Sequence, residues 1–254
     1  MCVGRKYLAR WRLLIHAVKY SYTLTRILCT LPLLKTYRHD PEQQQLIIRQ
    51  LIVGQLQTNC YLAACEETRE GIVIDPGDDP ARIFGEIDEL RIKVKYILNT
   101  HAHFDHIGAN ESLLKRLKVP LALHPLDLPL LKEAGGAAVF GLEAKQSPDP
   151  TMKLSNNQKI RVGNLLFRVL FTPGHTPGHV SFYEASESVV FDGDVLFDGG
   201  IGRTDIPGGD SGAIMKSIRD VLFKLPENTI VYSGHGNRTT IGQEKATNPW
   251  TGME

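Results

Sequence analysis

The stretch Asn99-Thr100-His101-Ala102-His103-Phe104-Asp105-His106 decides how the rest of the chain is read. It follows Val94–Leu98, a short apolar run that reads as a buried strand. Four side chains able to ligate a metal stand within the six residues from His101 to His106. Alternation along an extended segment puts His101 and His103 on one side. Asp105 shares that side only if the strand continues, whereas a turn there aims Asp105 and His106 elsewhere. One short segment can therefore serve two adjacent ions. A lone histidine pair in a loop would carry no such meaning; HxHxDH after a strand does.

Three more segments repeat the arrangement of a polar ligand at a strand end. Thr172-Pro173-Gly174-His175-Thr176-Pro177-Gly178-His179 follows the apolar run Leu165–Phe171. Phe191-Asp192-Gly193-Asp194 ends another, and Ser233-Gly234-His235-Gly236 follows Thr229–Tyr232. Strand ends are where a rigid scaffold hands over to a loop that can carry chemistry. Around these motifs the spacing predicts a hairpin over Leu46–Val53 and Gln55–Ala63, then a strand at Gly71–Asp75. Pro80–Leu90, Gly108–Leu117 and Asp210–Phe223 have helical spacing, and Leu121–His124 reads as a strand. Gly163-Asn164 joins Lys159–Val162 to Leu165–Phe171 as a hairpin turn, and residues 135–150 read as a loop. Val180–Tyr183 and Ser188–Phe191 are further short strands. This order suggests two mainly β layers covered outside by helices.

The ordered set HxHxDH, GHTPGH, GD and GH resembles the metallo-β-lactamase superfamily from about Leu46 to the C-terminus. Closer in, Thr58-Asn59-Cys60-Tyr61-Leu62, Ile74-Asp75-Pro76-Gly77 and Gly202-Arg203-Thr204-Asp205 are similar to its glyoxalase-II-like branch. The ending Gly234-His235-Gly236, Thr239-Thr240-Ile241-Gly242 and Asn248-Pro249 is similar to the short members of that branch. The resemblance implies an α+β fold, a four-layer αββα sandwich with a metal site at one edge. It implies a first ion on His101, His103 and His179, and a second on Asp105, His106 and His235, with Asp194 bridging. Two divalent ions are expected, zinc first, with iron and manganese suited to the same imidazole and carboxylate donors. The implied reaction is hydrolysis of a thioester such as a hydroxyacyl-glutathione by a metal-bridging hydroxide, which Asp105 would orient. Arg203 is the candidate substrate contact, toward an anionic group.

Other residues are read more plainly. His175 is expected to support the turn of its motif, His124 to be packed and hydrogen-bonded, and Cys60 to lie in the core. Asp75 is expected to order the floor of the site by hydrogen bonding, and Asp192 to stand behind it. Longer members of the branch carry a C-terminal helical domain that helps to bind glutathione; here 19 residues follow His235. Gly236-Asn237-Arg238 stands where those members have a tyrosine. Two other activities of the same fold are alternatives. One is a mononuclear iron persulfide dioxygenase using the positions of His101, His179 and Asp194; the other is a nuclease.

Composition bears on the choice. Hydrophobic residues make up 42% and charged residues 22%, which excludes collagen-like, low-complexity and multi-spanning membrane proteins. The formal net charge of +1 conceals a division. Eight of the 29 basic residues fall in Met1–His39, which has no acid, so the remainder carries 21 basic against 28 acidic residues. An acidic body argues against nucleic acid as a partner, because phosphate-binding surfaces need clustered Lys and Arg. Residues 1–45 are thus expected to be a basic extension and 46–254 the hydrolase domain. Met1–His39 could be a transit peptide, an interfacial helix built on Trp11, Leu14, Ile15 and Val18, or an extension without a role. Any membrane contact is assigned to those residues, and the body to the cytoplasm or an organelle. Cys2, Cys29, Cys60 and Cys65 form no CxxC pair, as expected of reduced thiols.

Overall fold

The computed structural model describes residues 45–251. The basic segment Met1–His39, with its candidate targeting roles, lies outside the described residues. Two six-stranded sheets dominate. The first runs in sequence order through β1 (Leu46–Val53), β2 (Thr58–Cys65), β3 (Glu70–Ile74), β4 (Lys93–Leu98), β5 (Leu121–Leu123) and β6 (Met152–Lys153). β1 to β3 are antiparallel, and β3 to β6 are parallel. The second sheet is built from β7 (Lys159–Val162), β8 (Leu165–Phe171), β9 (Val180–Glu184) and β10 (Val189–Gly193). A small hairpin of β11 (Leu196–Phe197) and β12 (Gly200–Ile201) follows, and β13 (Ile230–Ser233) and β14 (Thr239–Thr240) complete the sheet. Its order is β14-β13-β10-β9-β8-β7.

Helices cover the two outer faces. α1 (Pro80–Glu89), the one-turn α2 (Phe104–Ile107), α3 (Asn110–Leu117) and α4 (Leu128–Lys132) belong to the first half. α5 (Ser211–Lys216) and α6 (Ile241–Thr247) belong to the second. β2 shows why four layers are needed, since it is buried along its whole length. Tyr61, Ala63 and Cys65 point between the sheets, where they meet Phe167, Phe182 and Phe191. Cys60, Leu62 and Ala64 point the other way, toward Ile83 and Ile87 of α1 and Leu113 of α3. The second sheet does the same, with Leu170, Val190 and Val231 against Ile214, Ile218 and Ile241. This is the αββα sandwich expected from the motifs, and Cys60 is core as expected.

Local differences have local causes. β2 starts at Thr58 rather than Gln55 because residues 54–57 turn, with positive φ at Gly54 and Gln57. The helix expected from Asp210 stays α-helical only to Lys216, then widens into a π-type turn over Ser217–Val221. α4, α6 and β6 are shorter than the windows in which periodicity can be read. Among the described residues no helix is long and apolar enough to cross a membrane.

Candidate metal centre

The site is assembled where the parallel strands of both sheets end. β4 stops at Leu98, the chain bends at Thr100 and His101, and α2 begins at Phe104. The chain therefore turns at Phe104, and Asp105 and His106 leave the line of His101 and His103. The histidine rings still crowd together, with His101 centroids 4.8 Å from His103 and 4.1 Å from His106. β10 delivers Asp194, and the turn after β13 delivers His235. His235 Nε2 lies 3.2 Å from Asp105 Oδ2 and 3.6 Å from Asp194 Oδ2. His106 Nε2 lies 3.4 Å from Asp105 Oδ2 and 3.6 Å from Asp194 Oδ1. Asp105, His106 and His235 form one compact donor group, and His101, His103 and His175 form another.

The third imidazole of that second group is His175, not the expected His179. Hydrogen bonding gives the reason. The Asp194 backbone N–H donates to His179 Nε2 at 3.1 Å. Nδ1 of His179 must then carry the ring proton, which it gives to Thr172 Oγ1 at 3.0 Å. Both nitrogens are used inside the protein, so His179 has no lone pair to offer. His175 is arranged the other way. Its Nδ1–H donates to the Arg203 carbonyl at 2.8 Å, which leaves Nε2 as a lone pair facing inward. That atom is 2.9 Å from His103 Nδ1 and 3.5 Å from Asp194 Oδ2.

A layer of acceptors fixes the other rings. Asp75 Oδ2 accepts from Thr100 Oγ1 at 2.6 Å and from His106 Nδ1 at 3.1 Å. Thr100 Oγ1 in turn accepts from His101 Nδ1 at 3.0 Å. Nε2 of both His101 and His106 is thereby turned into the site, and neither has a hydrogen-bond partner. Asp194 Oδ1 is also buried without one. Orphaned buried polar atoms are costly, and three in one site call for a partner from outside the chain. A donor set of neutral imidazoles and carboxylates fits divalent zinc, iron or manganese.

The electrostatics divide the rings: burial would lower His106 and His235, but Asp105 and Asp194 outweigh it and raise both, His106 well above the usual imidazole range. Burial, reinforced by His106 and His103, holds His101 well below the usual imidazole range. Burial and His175 hold His103 down to about 3. Burial alone would raise Asp105, but His106 and His235 outweigh it and keep the carboxyl at about 2. Asp194 is likewise held low by His106, His175 and His235 against its burial. Burial does win at Asp192, whose carboxyl is pushed well up. Its Oδ2 accepts from Leu196 N–H at 3.0 Å, and it stands behind the site as expected.

Several residues had no role assigned from the sequence, though Thr58 and Asn59 stand in the quoted TNCYL motif. Thr58 Oγ1 donates to Asp105 Oδ2 at 2.9 Å. Asn59 Nδ2 donates to the Ser233 and Gly236 carbonyls, bracketing the turn that carries His235. Asp127 accepts from Ala102 N–H, Thr176 Oγ1 and Gly178 N–H, so one carboxylate ties the HxHxDH loop to the GHTPGH loop. The sequence Asp127-Leu128-Pro129 reads as an ordinary helix start, and Asp127 does occupy that position before α4, but it makes no capping bond there. His124 packs on Phe171, as expected. Arg203 lines the cavity over the site, yet its Nε and Nη2 are given to Asp205 at 2.8 and 2.9 Å.

Comparison with known proteins finds relatives over most of the described residues. The family model described as the metallo-beta-lactamase superfamily matches residues 53–235. Hydroxyacylglutathione hydrolase GloC of Haemophilus influenzae is 39% identical over 201 residues, 78% of this chain and 94% of that protein. The mitochondrial persulfide dioxygenase ETHE1 of Mus musculus is 30% identical over 209 residues, 80% of this chain and 75% of that protein. The crystal structure of TTHA1623 in a di-iron-bound form superposes with a TM-score of 0.73 at 42% identity, covering 80% of this chain and 99% of that one.

Proposed function

The chain belongs to the metallo-beta-lactamase superfamily, and from that premise we propose that it is a metal-dependent hydrolase of thioesters. The observation that carries this reading is that Asp194 stands between two donor groups, beside His106 and His235 of one and His175 of the other. His101, His103 and His175 would hold one divalent ion, Asp105, His106 and His235 the other, and Asp194 would touch both. When bound, such a pair supplies an activated water and a Lewis acid for the scissile carbonyl. The protein's part is orientation. Thr58 fixes Asp105 Oδ2 beside His235, where the carboxylate can accept a proton from the attacking water. Asp75 and Thr100 hold His101 and His106 in the tautomer that presents Nε2. The likeness to a hydroxyacylglutathione hydrolase makes hydroxyacyl-glutathione the first compound to try.

The test is thiol release from thioesters by protein reconstituted with zinc, iron or manganese. The reading expects release that disappears on chelation and returns with metal. A second reading, a one-iron persulfide dioxygenase, rests on the likeness to that enzyme. The dioxygenases keep HxHxDH, so Asp105 and His106 do not separate the two; the ending Thr239-Thr240-Ile241-Gly242, similar to the short hydrolases, favours the hydrolase. One iron per chain with sulfur-dependent oxygen uptake and no thioester cleavage would reverse the choice.

A further inference from the structure

Above the donor groups lies a cavity of about 620 Å³, within the range of small-molecule sites. Its floor is His103, Asp105, His175, Asp194 and His235. Its walls are apolar, with Leu56, Phe104, Phe140 and Leu142 on one side and Phe197, Ile201 and Ile206 on the other. Leu56, Phe140 and Leu142 are 49%, 43% and 45% exposed, so three large apolar side chains in the lining remain partly open to solvent. Clustered exposed apolar surface of this kind marks a binding site. The wall is anchored rather than draped. Gly135 sits so close to the Phe104 backbone that a Cβ there would come within 2.3 Å of its nitrogen. Asn110 Nδ2 holds Ser147 Oγ at 2.9 Å on the far side of the segment. Phe140 also packs on Phe104, with centroids 6.0 Å apart.

Charge in the cavity tells the same way. Among the described residues that line it, Arg203 is the single lysine or arginine. Its guanidinium is committed twice, to the Asp205 carboxylate and to the Phe140 ring at 5.7 Å from the centroid. A peptide-like thiol carrying two carboxylates would meet no other cation in this lining; Lys145 lines the adjoining hollow, which shares Leu56, Phe104, Asp105 and Leu142. Resting on the thioester hydrolase reading above, we propose that the substrate carries a bulky apolar group beside the scissile bond. Phe140 and Leu142 select for it, and hydroxyacyl-glutathione is a poor member of the substrate series. The group belongs either to the acyl side or to the thiol side, and the experiment separates the two.

Two thioester series are compared on the metal-loaded protein. One varies the acyl chain from acetyl to octanoyl on a small neutral thiol; the other varies the apolar length of the thiol on an acetyl group. In one of the series kcat/KM rises about fourfold per added methylene over the first few steps, as burial of each CH₂ dictates. Phe140→Ser and Leu142→Ser flatten that slope. Val139→Ser, in the same segment but outside the lining, keeps it. Binding of thioether analogues of the same lengths, measured by calorimetry, follows the same slope and reads the preference without turnover. A flat response in both series, or slopes unmoved by both wall variants, overturns the proposal. Failure to cleave any thioester while thioethers still bind with the fourfold slope overturns the hydrolase reading and leaves the apolar preference standing.

Discussion

His175 and His179 stand four residues apart in one motif, and both are buried, yet their chemistry is opposite. What separates them is which ring nitrogen is consumed by the backbone. A carbonyl takes the proton side of His175, whereas an N–H takes the lone pair of His179. Spacing cannot show that, because either histidine reaches the site from the end of β8. The account therefore predicts that His175→Ala lowers metal affinity by about 100-fold or more, since even an outer hydrogen-bond partner of a ligand is worth about 10–100-fold. His179→Gln, which can still accept at the same place, keeps the metal with a smaller loss. Elemental analysis of the two purified variants checks this, and equal loss of metal from both would contradict the assignment. Asp194→Ala removes the carboxylate common to both groups. It is expected to abolish metal-dependent turnover while the circular dichroism spectrum stays native. Wild-type rates in that variant would end its bridging role. The remaining donors, His101, His103, Asp105, His106 and His235, were legible in the sequence because each sits in a motif at a strand end. Thr58 and Asn59 were seen only as part of the TNCYL motif and Asp127 not at all, because a threonine on a strand, an asparagine beside it and an aspartate before a helix are common for other reasons.

Elements place these residues, and two joints carry the strain of doing so. At the end of β13, Gly234 passes so close to the site that a Cβ would lie 2.1 Å from Asp194 Oδ1 and 2.8 Å from His106 Cε1. Gly234→Ala should displace the shared carboxylate and reduce bound metal, with little change in the sheet; a native metal content in that variant would show that the contact yields. The second joint is Asp127, whose Oδ2 accepts two donors from two different loops. Asp127→Asn turns an amide against one or both of them, leaving buried donors unpaired at about 1–3 kcal/mol each. The expected result is a Tm lower by several degrees in thermal unfolding of the metal-free protein. Strands and the long helices could be read from their periodicity, down to the bounds of β1, β7 and β8. The one-turn α2, the short α4 and α6, and the widened turn after α5 could not. They are shorter than two turns or are set by contacts distant in sequence, such as Asn248 Nδ2 with the Gly200 carbonyl.

For the whole molecule, the near-zero net charge separates into a basic stretch and an acidic body, and the region that matches the family, residues 53–235, lies in the body. A protein lacking residues 1–39 is expected to retain metal content and thioester cleavage in full. Loss of either on truncation would bring the basic stretch into the catalytic unit. The architecture was legible because four motifs in fixed order each need a strand end, and two sheets stacked face to face bring those ends to one edge. The cavity walls were not legible, because Leu56, Phe140, Leu142, Phe197 and Ile201 come from separate segments that share no pattern. The central claim is that two ions on Asp194 make a thioester hydrolase. Its most direct test is the rate of thiol release as metal is titrated into the metal-free protein, with the stoichiometry measured at each point. The account predicts that the rate climbs to its plateau at two ions per chain. A plateau at one ion per chain, or no thiol release at any occupancy, would contradict it.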